Sequence, residues 1–183
     1  ESRFFDRGSL RLHYLDEGKG DPVVMLHGNP TWSIYYRDLA RALAGSLRVV
    51  VPDHMGCGLS SKPDDGLYDY TLESRIADLE ALLDAVGVTR RLTLVLHDWG
   101  GMIGMGFAAR HPERIARLVI LNTAAFLLPP GQGLPWILKA CRTPLGALLI
   151  RGLNAFAWSA SRFCCTQRAL SAELRRAYLE PYD

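Results

Sequence analysis

Apolar positions recur along this chain in two periods. Leu10, Leu12 and Tyr14 alternate with polar neighbours and predict a half-buried strand over Leu10–Asp16. The turn Glu17-Gly18-Lys19-Gly20-Asp21-Pro22 ends it. Val23–Leu26, Val49–Val51, Leu92–Leu96 and Ile115–Leu121 are runs with little or no polar interruption. Such runs suit parallel strands covered on both faces. Between them the period lengthens. Trp32–Ala44 predicts a helix. Leu72, Ile76, Leu79, Leu82, Leu83 and Val86 fall at helical spacing, with Glu73, Asp78, Glu80 and Asp84 on the other side. Thr71 and Gly87 suit the two caps of that helix. Gly100–Arg110 predicts a small-residue helix that stops before Pro112. Strands alternating with helices imply an α/β fold with a mostly parallel sheet between helical layers.

In such sheets chemistry gathers where the strands end. The four segments that follow the buried runs are His27-Gly28-Asn29-Pro30, Pro52-Asp53-His54, His97-Asp98-Trp99-Gly100-Gly101 and Asn122-Thr123. The third breaks sharply from a strand into a helix, the setting of a nucleophile elbow. Its central residue is Asp98, not serine. A carboxylate there can attack an electrophilic carbon and form an ester. It can equally do no more than cap the helix behind it. The local pattern supports both readings. Asn29, with its amide and a neighbouring backbone N–H, and Trp99, with an indole N–H, are donors suited to an oxyanion or leaving anion. A turn asparagine and a core tryptophan are the ordinary alternatives.

Charge and composition narrow the classes. A net charge of +2 gives no case for a nucleic-acid partner. No stretch approaches the ~18 consecutive apolar residues of a membrane span. The four cysteines lack zinc-ligand spacing and suit reduced thiols in a cytoplasmic protein. No metal or organic cofactor is implied: ligand clusters, GxGxxG and P-loop motifs are missing. Beyond Pro129-Pro130 the character changes. Residues 139–183 carry a local balance of +4 and many aromatics, against −2 for the preceding 138 residues. This divides the chain into a core over 1–128 and a partial helical lid over 129–183.

The order HGNPTW, PDHMGCGLS, HDWGG and then a lid resembles the α/β-hydrolase superfamily. Within it the resemblance is to the branch with an aspartate nucleophile, which holds haloalkane dehalogenases and epoxide hydrolases. Three longer stretches, Asp53–Ser60, Asn122–Phe126 and Arg151–Phe156, resemble the β-lactone decarboxylases of bacterial long-chain olefin biosynthesis. That resemblance implies attack by Asp98 on a strained cis-3,4-dialkyl β-lactone. It implies that Asn29 and Trp99 hold the released carboxylate, and that the products are a cis-alkene and CO2. It also implies a lipid-like small-molecule substrate and assembly with neighbouring olefin-pathway enzymes. A haloalkane dehalogenase would use the same three residues with halide as the leaving group. An epoxide hydrolase would need ring-opening phenols, for which the lid offers Tyr178 and Tyr182. A non-catalytic binding subunit is the reading outside enzymology.

The family also needs a histidine and an acid that orients it. His13, His27, His54, His97 and His111 are the histidines present, and none suits a base. Asn122 stands where some relatives carry the acid, and an amide cannot serve as one. Both groups are therefore expected past residue 183, with this chain an N-terminal piece that does not turn over alone. The Ile115–Leu121 strand is then expected to present an apolar edge.

Overall fold

The computed structural model describes residues 1–125, 131, 133, 135–165 and 167–182. They divide into two compact units, Glu1–Ala125 and Phe126–Asp183. The division expected at 128/129 falls among residues 126–130, outside the described residues.

The first unit is built on a six-stranded sheet in the order β1-β2-β4-β3-β5-β6. The strands are β1 (Ser2–Arg7), β2 (Leu10–Glu17), β3 (Pro22–Leu26), β4 (Arg48–Pro52), β5 (Leu92–His97) and β6 (Ile115–Leu121). β1 and β2 form an antiparallel hairpin, β2 pairs antiparallel with β4, and the remaining pairs are parallel. Because side chains alternate across a strand, each apolar run feeds two cores. Val24, Leu26, Val50, Leu94 and Leu96 face α2 (Leu72–Ala85) and α3 (Trp99–Arg110) through Ile76, Leu79, Leu83, Ile103 and Phe107. Val23, Met25, Val49, Val51 and Val95 face the other way, onto Tyr36 and α1 (Arg37–Leu43). This two-sided burial is why these strands read as continuous hydrophobic runs.

Local signals held at the ends of α2. The Thr71 hydroxyl accepts the Ser74 N–H at 3.2 Å. Gly87 follows the helix with φ +69°. The expected helix over Trp32–Ala44 is shorter and split into a 3-10 turn, Ser33–Tyr36, followed by α1. β1 was not expected from the sequence. Its residues are mostly exposed, so it carries no burial pattern, and it exists through register with β2 across the two-residue turn Gly8-Ser9. β1 and β6 are the sheet edges among the described residues, and on β6 Leu118, Val119, Ile120 and Leu121 are all exposed.

The second unit contains α4 (Trp136–Cys141), α5 (Pro144–Leu153), α6 (Ala155–Phe163) and α7 (Ala172–Leu179). Thr143 caps α5 by accepting the Gly146 N–H, and Ser171 caps α7 by accepting the Leu174 N–H, each at 3.1 Å. Asn154, in the left-handed region at φ +47°, ends α5 and opens α6.

Candidate active site

β5 ends at His97 and α3 begins at Trp99, so Asp98 must turn the chain by itself. It does so at φ +50°, ψ −126°. For a residue with a Cβ this conformation costs about 1–3 kcal/mol and persists only when its surroundings enforce it. They do. The Asp98 carbonyl accepts the Gly101 N–H at 2.9 Å and the Thr123 hydroxyl at 2.5 Å. A Cβ on Gly28 would overlap the Asp98 side chain, and one on Gly100 would overlap the Leu26 carbonyl. Only glycine lets β3, the elbow and α3 close on one another here.

The carboxylate's partner speaks against the cap alternative. Asp98 occupies the N-cap position of α3, yet its side chain makes no capping bond. Its Oδ1 instead accepts the Asn29 backbone N–H at 2.8 Å. The Asn29 N–H thus serves Asp98 itself. Asn29 sits in a turn after β3. The Gly28 carbonyl accepts both the Thr31 N–H at 3.0 Å and the Thr31 hydroxyl at 2.8 Å. The Asn29–Pro30 peptide is cis. Asn29 and Trp99 are both exposed, so their donors are accessible. Asp98 and Trp99 line an open cleft of about 270 Å³ with Met102, Asn122, Thr123 and Ala124. Asn122 lies there at φ +39° and presents an amide, not an acid.

Under the Asn29 turn lies a buried polar cluster that the sequence reading named only as the segment after β4. Asp53 is fully buried. Its Oδ1 accepts the Ser33 N–H at 2.6 Å, and its Oδ2 accepts the Leu59 N–H at 2.9 Å. Oδ2 also lies 2.8 Å from His13 Nδ1. Burial pushes the Asp53 carboxyl up, but the His13 bond, the nearby His27 ring and the Leu59 N–H outweigh it, leaving the group below its usual range. His27 donates from Nδ1 to the Gly28 carbonyl at 2.9 Å and accepts the His54 N–H at Nε2, 3.1 Å. His54 donates from Nε2 to the His27 carbonyl at 2.9 Å. These bonds fix the neutral Nδ1–H tautomer of His27 and place a proton on Nε2 of His54. Burial holds both rings below the ordinary histidine range, and for His54 the neighbouring His27 ring pushes further the same way.

The remaining histidines are also accounted for. His97 stacks on Tyr35, with ring centroids 4.6 Å apart. His111 lies 3.0 Å from Glu80. No histidine hydrogen-bonds the Asp98 carboxylate among the described residues. Two further groups shape the site: Tyr36 carried no sequence signal, and Thr123 carried one only as part of the segment after β6. Tyr36 donates to the Leu26 carbonyl at 3.1 Å, beneath the strand ends, and Thr123 braces the elbow. Among the described residues, no group of three or more His, Cys, Asp or Glu could hold a metal ion.

A mostly parallel sheet flanked by helices agrees with what comparison finds. The family model for the alpha/beta hydrolase fold matches residues 21–147. The chain belongs to the alpha/beta hydrolase fold family. Over 181 residues this hydrolase-family chain is 58% identical to a protein of Shewanella oneidensis named cis-3-alkyl-4-alkyloxetan-2-one decarboxylase. That match takes in 98% of the chain and 57% of the relative. A protein of the same name from Xanthomonas campestris pv. campestris is 49% identical over 185 residues, with 97% of this chain and 61% of that one covered. Among solved structures, the haloalkane dehalogenase DatA from Agrobacterium tumefaciens C58 superposes with a TM-score of 0.87 at 30% identity, covering all of this chain and 62% of that one. The chain thus spans about three fifths of the length of the curated relatives it matches. No helix among the described residues is long and apolar enough to cross a membrane.

Proposed function

We propose that the protein is a β-lactone decarboxylase that uses Asp98 as its nucleophile. One observation carries this reading. A carboxylate held in a strained elbow, free of the helix it precedes, is braced by the Asn29 backbone and faces an open cleft. Such a group is a partly exposed, oriented nucleophile. The names of the two relatives at 58% and 49% identity supply the substrate class, a cis-3-alkyl-4-alkyloxetan-2-one.

The proposed chemistry begins with the Asp98 carboxylate attacking C4 of the strained ring. The C4–O bond breaks, and the ring oxygen becomes part of a free carboxylate. The Asn29 amide and the Trp99 indole N–H receive that negative charge. CO2 then leaves from C3. Its electron pair forms the C3=C4 double bond as the Asp98–C4 bond breaks. No water or net proton is consumed. Inversion at attack followed by anti loss of CO2 preserves the cis relation of the two alkyl groups in the alkene. Residues 129–183 are in this proposal the partial helical lid expected from the sequence. Assembly with neighbouring olefin-pathway enzymes rests on the resemblance, with the basic stretch 139–183 as its surface. Four free cysteines fit a cytoplasmic protein.

A haloalkane dehalogenase is the second reading, favoured by the fold match to DatA. The two are separated by offering a cis-3,4-dialkyl β-lactone and a 1-bromoalkane to the product of the complete reading frame, with the 183-residue chain in parallel. The proposal expects cis-alkene and CO2 from the lactone and no bromide release. Bromide release without alkene overturns it.

A further inference from the structure

The Asn29 side chain has one neighbour whose chemistry decides which way its amide faces. Cys57 Sγ lies 3.5 Å from Asn29 Oδ1, oriented as a donor to it. The two ends of an asparagine amide are distinguished only by their partners: the oxygen accepts, and the nitrogen carries two donors. A thiol hydrogen directed at Oδ1 turns the NH2 end away from Cys57. Asn29 Nδ2 has no protein partner among the described residues, and the residue is exposed. Its donors are thus open to an incoming anion. The reverse orientation would present a lone pair to that anion instead.

The thiol is well placed for this task because it cannot wander. Cys57 is 6% exposed. Its N–H donates to the His54 carbonyl at 2.8 Å, and its carbonyl accepts the Ser60 N–H at 3.1 Å. The same loop is tied to buried Asp53 through the Leu59 N–H at 2.9 Å. The backbone of Asn29 is fixed separately by Asp98 at 2.8 Å. With both backbones held, the Asn29 side chain keeps its two torsions, and the thiol selects the setting of both that brings Oδ1 to it.

We infer that Cys57 is a positioning residue: its S–H···Oδ1 bond sets the Asn29 amide so that the NH2 group, not the oxygen, faces the anion formed at Asp98. The functional half of this inference rests on the nucleophile reading above, while the orientation itself does not.

The test is run on the chain itself, which has three asparagines, Asn29, Asn122 and Asn154. Selective ¹⁵N-asparagine labelling gives three side-chain NH2 pairs, and Asn29→Asp assigns the relevant one by its loss. In the unsubstituted chain, the Asn29 NH2 protons should show no NOE to the Cys57 Hβ protons. Strong NOEs between them overturn the inference, whether or not any variant folds. Cys57→Ala should shift or double the Asn29 pair, and should slow covalent labelling of Asp98 by a cis-β-lactone about three- to tenfold, the range of one lost hydrogen bond. Cys57→Ser, which keeps a donor, should restore the single pair and label within about twofold of the unsubstituted chain. Unchanged NH2 signals and an unchanged labelling rate in Cys57→Ala contradict it. If the unsubstituted chain forms neither an adduct at Asp98 nor cis-alkene, the nucleophile reading fails and the NH2 signals alone still decide the orientation.

Discussion

Asp98 stands at φ +50°, where a side chain is unwelcome. The cost of that conformation predicts a trade between stability and chemistry. Asp98→Gly and Asp98→Ala both lose the bond to the Asn29 N–H, so the comparison between them isolates the backbone. Glycine should be the more stable variant by about 1 kcal/mol in urea denaturation, although alanine wins in ordinary helix positions. Alanine equal to or better than glycine would mean the elbow is unstrained. The buried histidines give a second expectation. His27 and His54 are held neutral in the fold. In the unfolded chain each titrates near about 6.5, so the unfolded state binds more protons as the pH falls below that value. Their contribution is therefore complete above that pH and lost on acidification. Asp53, held below its usual range, adds loss of the same sign at lower pH. The urea midpoint should fall between about pH 7.5 and pH 5.5, and a flat profile would show that these rings carry protons in the fold.

At the level of elements, α2 and β6 make opposite cases. α2 owes its start to Thr71, and Thr71→Ala should cost about 1 kcal/mol by chemical denaturation. β6 ends the sheet with Leu118 through Leu121 exposed. An unpaired apolar edge templates further pairing. The 183-residue chain should self-associate with rising concentration in sedimentation velocity, and Val119→Lys should reduce it. A chain that stays monomeric throughout contradicts this. The contrast also explains what was legible beforehand. β3, β4, β5 and α2 were readable because burial on a face leaves a period in the sequence. β1 was not, because it is mostly exposed and exists through pairing with β2. The helix after β3 was overestimated because Ser33–Tyr36 is held in a 3-10 turn, with Asp53 taking the Ser33 N–H, a tertiary bond that no local pattern announces.

For the whole molecule, the candidate site was half legible. Asp98, Asn29 and Trp99 follow strand ends, and strand ends can be read. That the Asn29 backbone would serve Asp98, that Thr123 would brace the elbow and that Cys57 would meet the Asn29 amide are consequences of packing. They join residues 69, 25 and 28 positions apart. The loop after β3 meets the Asp98 carboxylate, the segment after β6 meets its carbonyl, and the loop after β4 meets the Asn29 amide; the central claim is that this carboxylate is the nucleophile. The most direct test is intact mass and peptide mapping after exposure to a cis-3,4-dialkyl β-lactone, with Asp98→Asn alongside. The account predicts a single added lactone mass, mapped to Asp98 and missing from Asp98→Asn, in a chain caught before release, or cis-alkene that disappears in the same variant. An adduct on another residue, or alkene formed equally by Asp98→Asn, would contradict it.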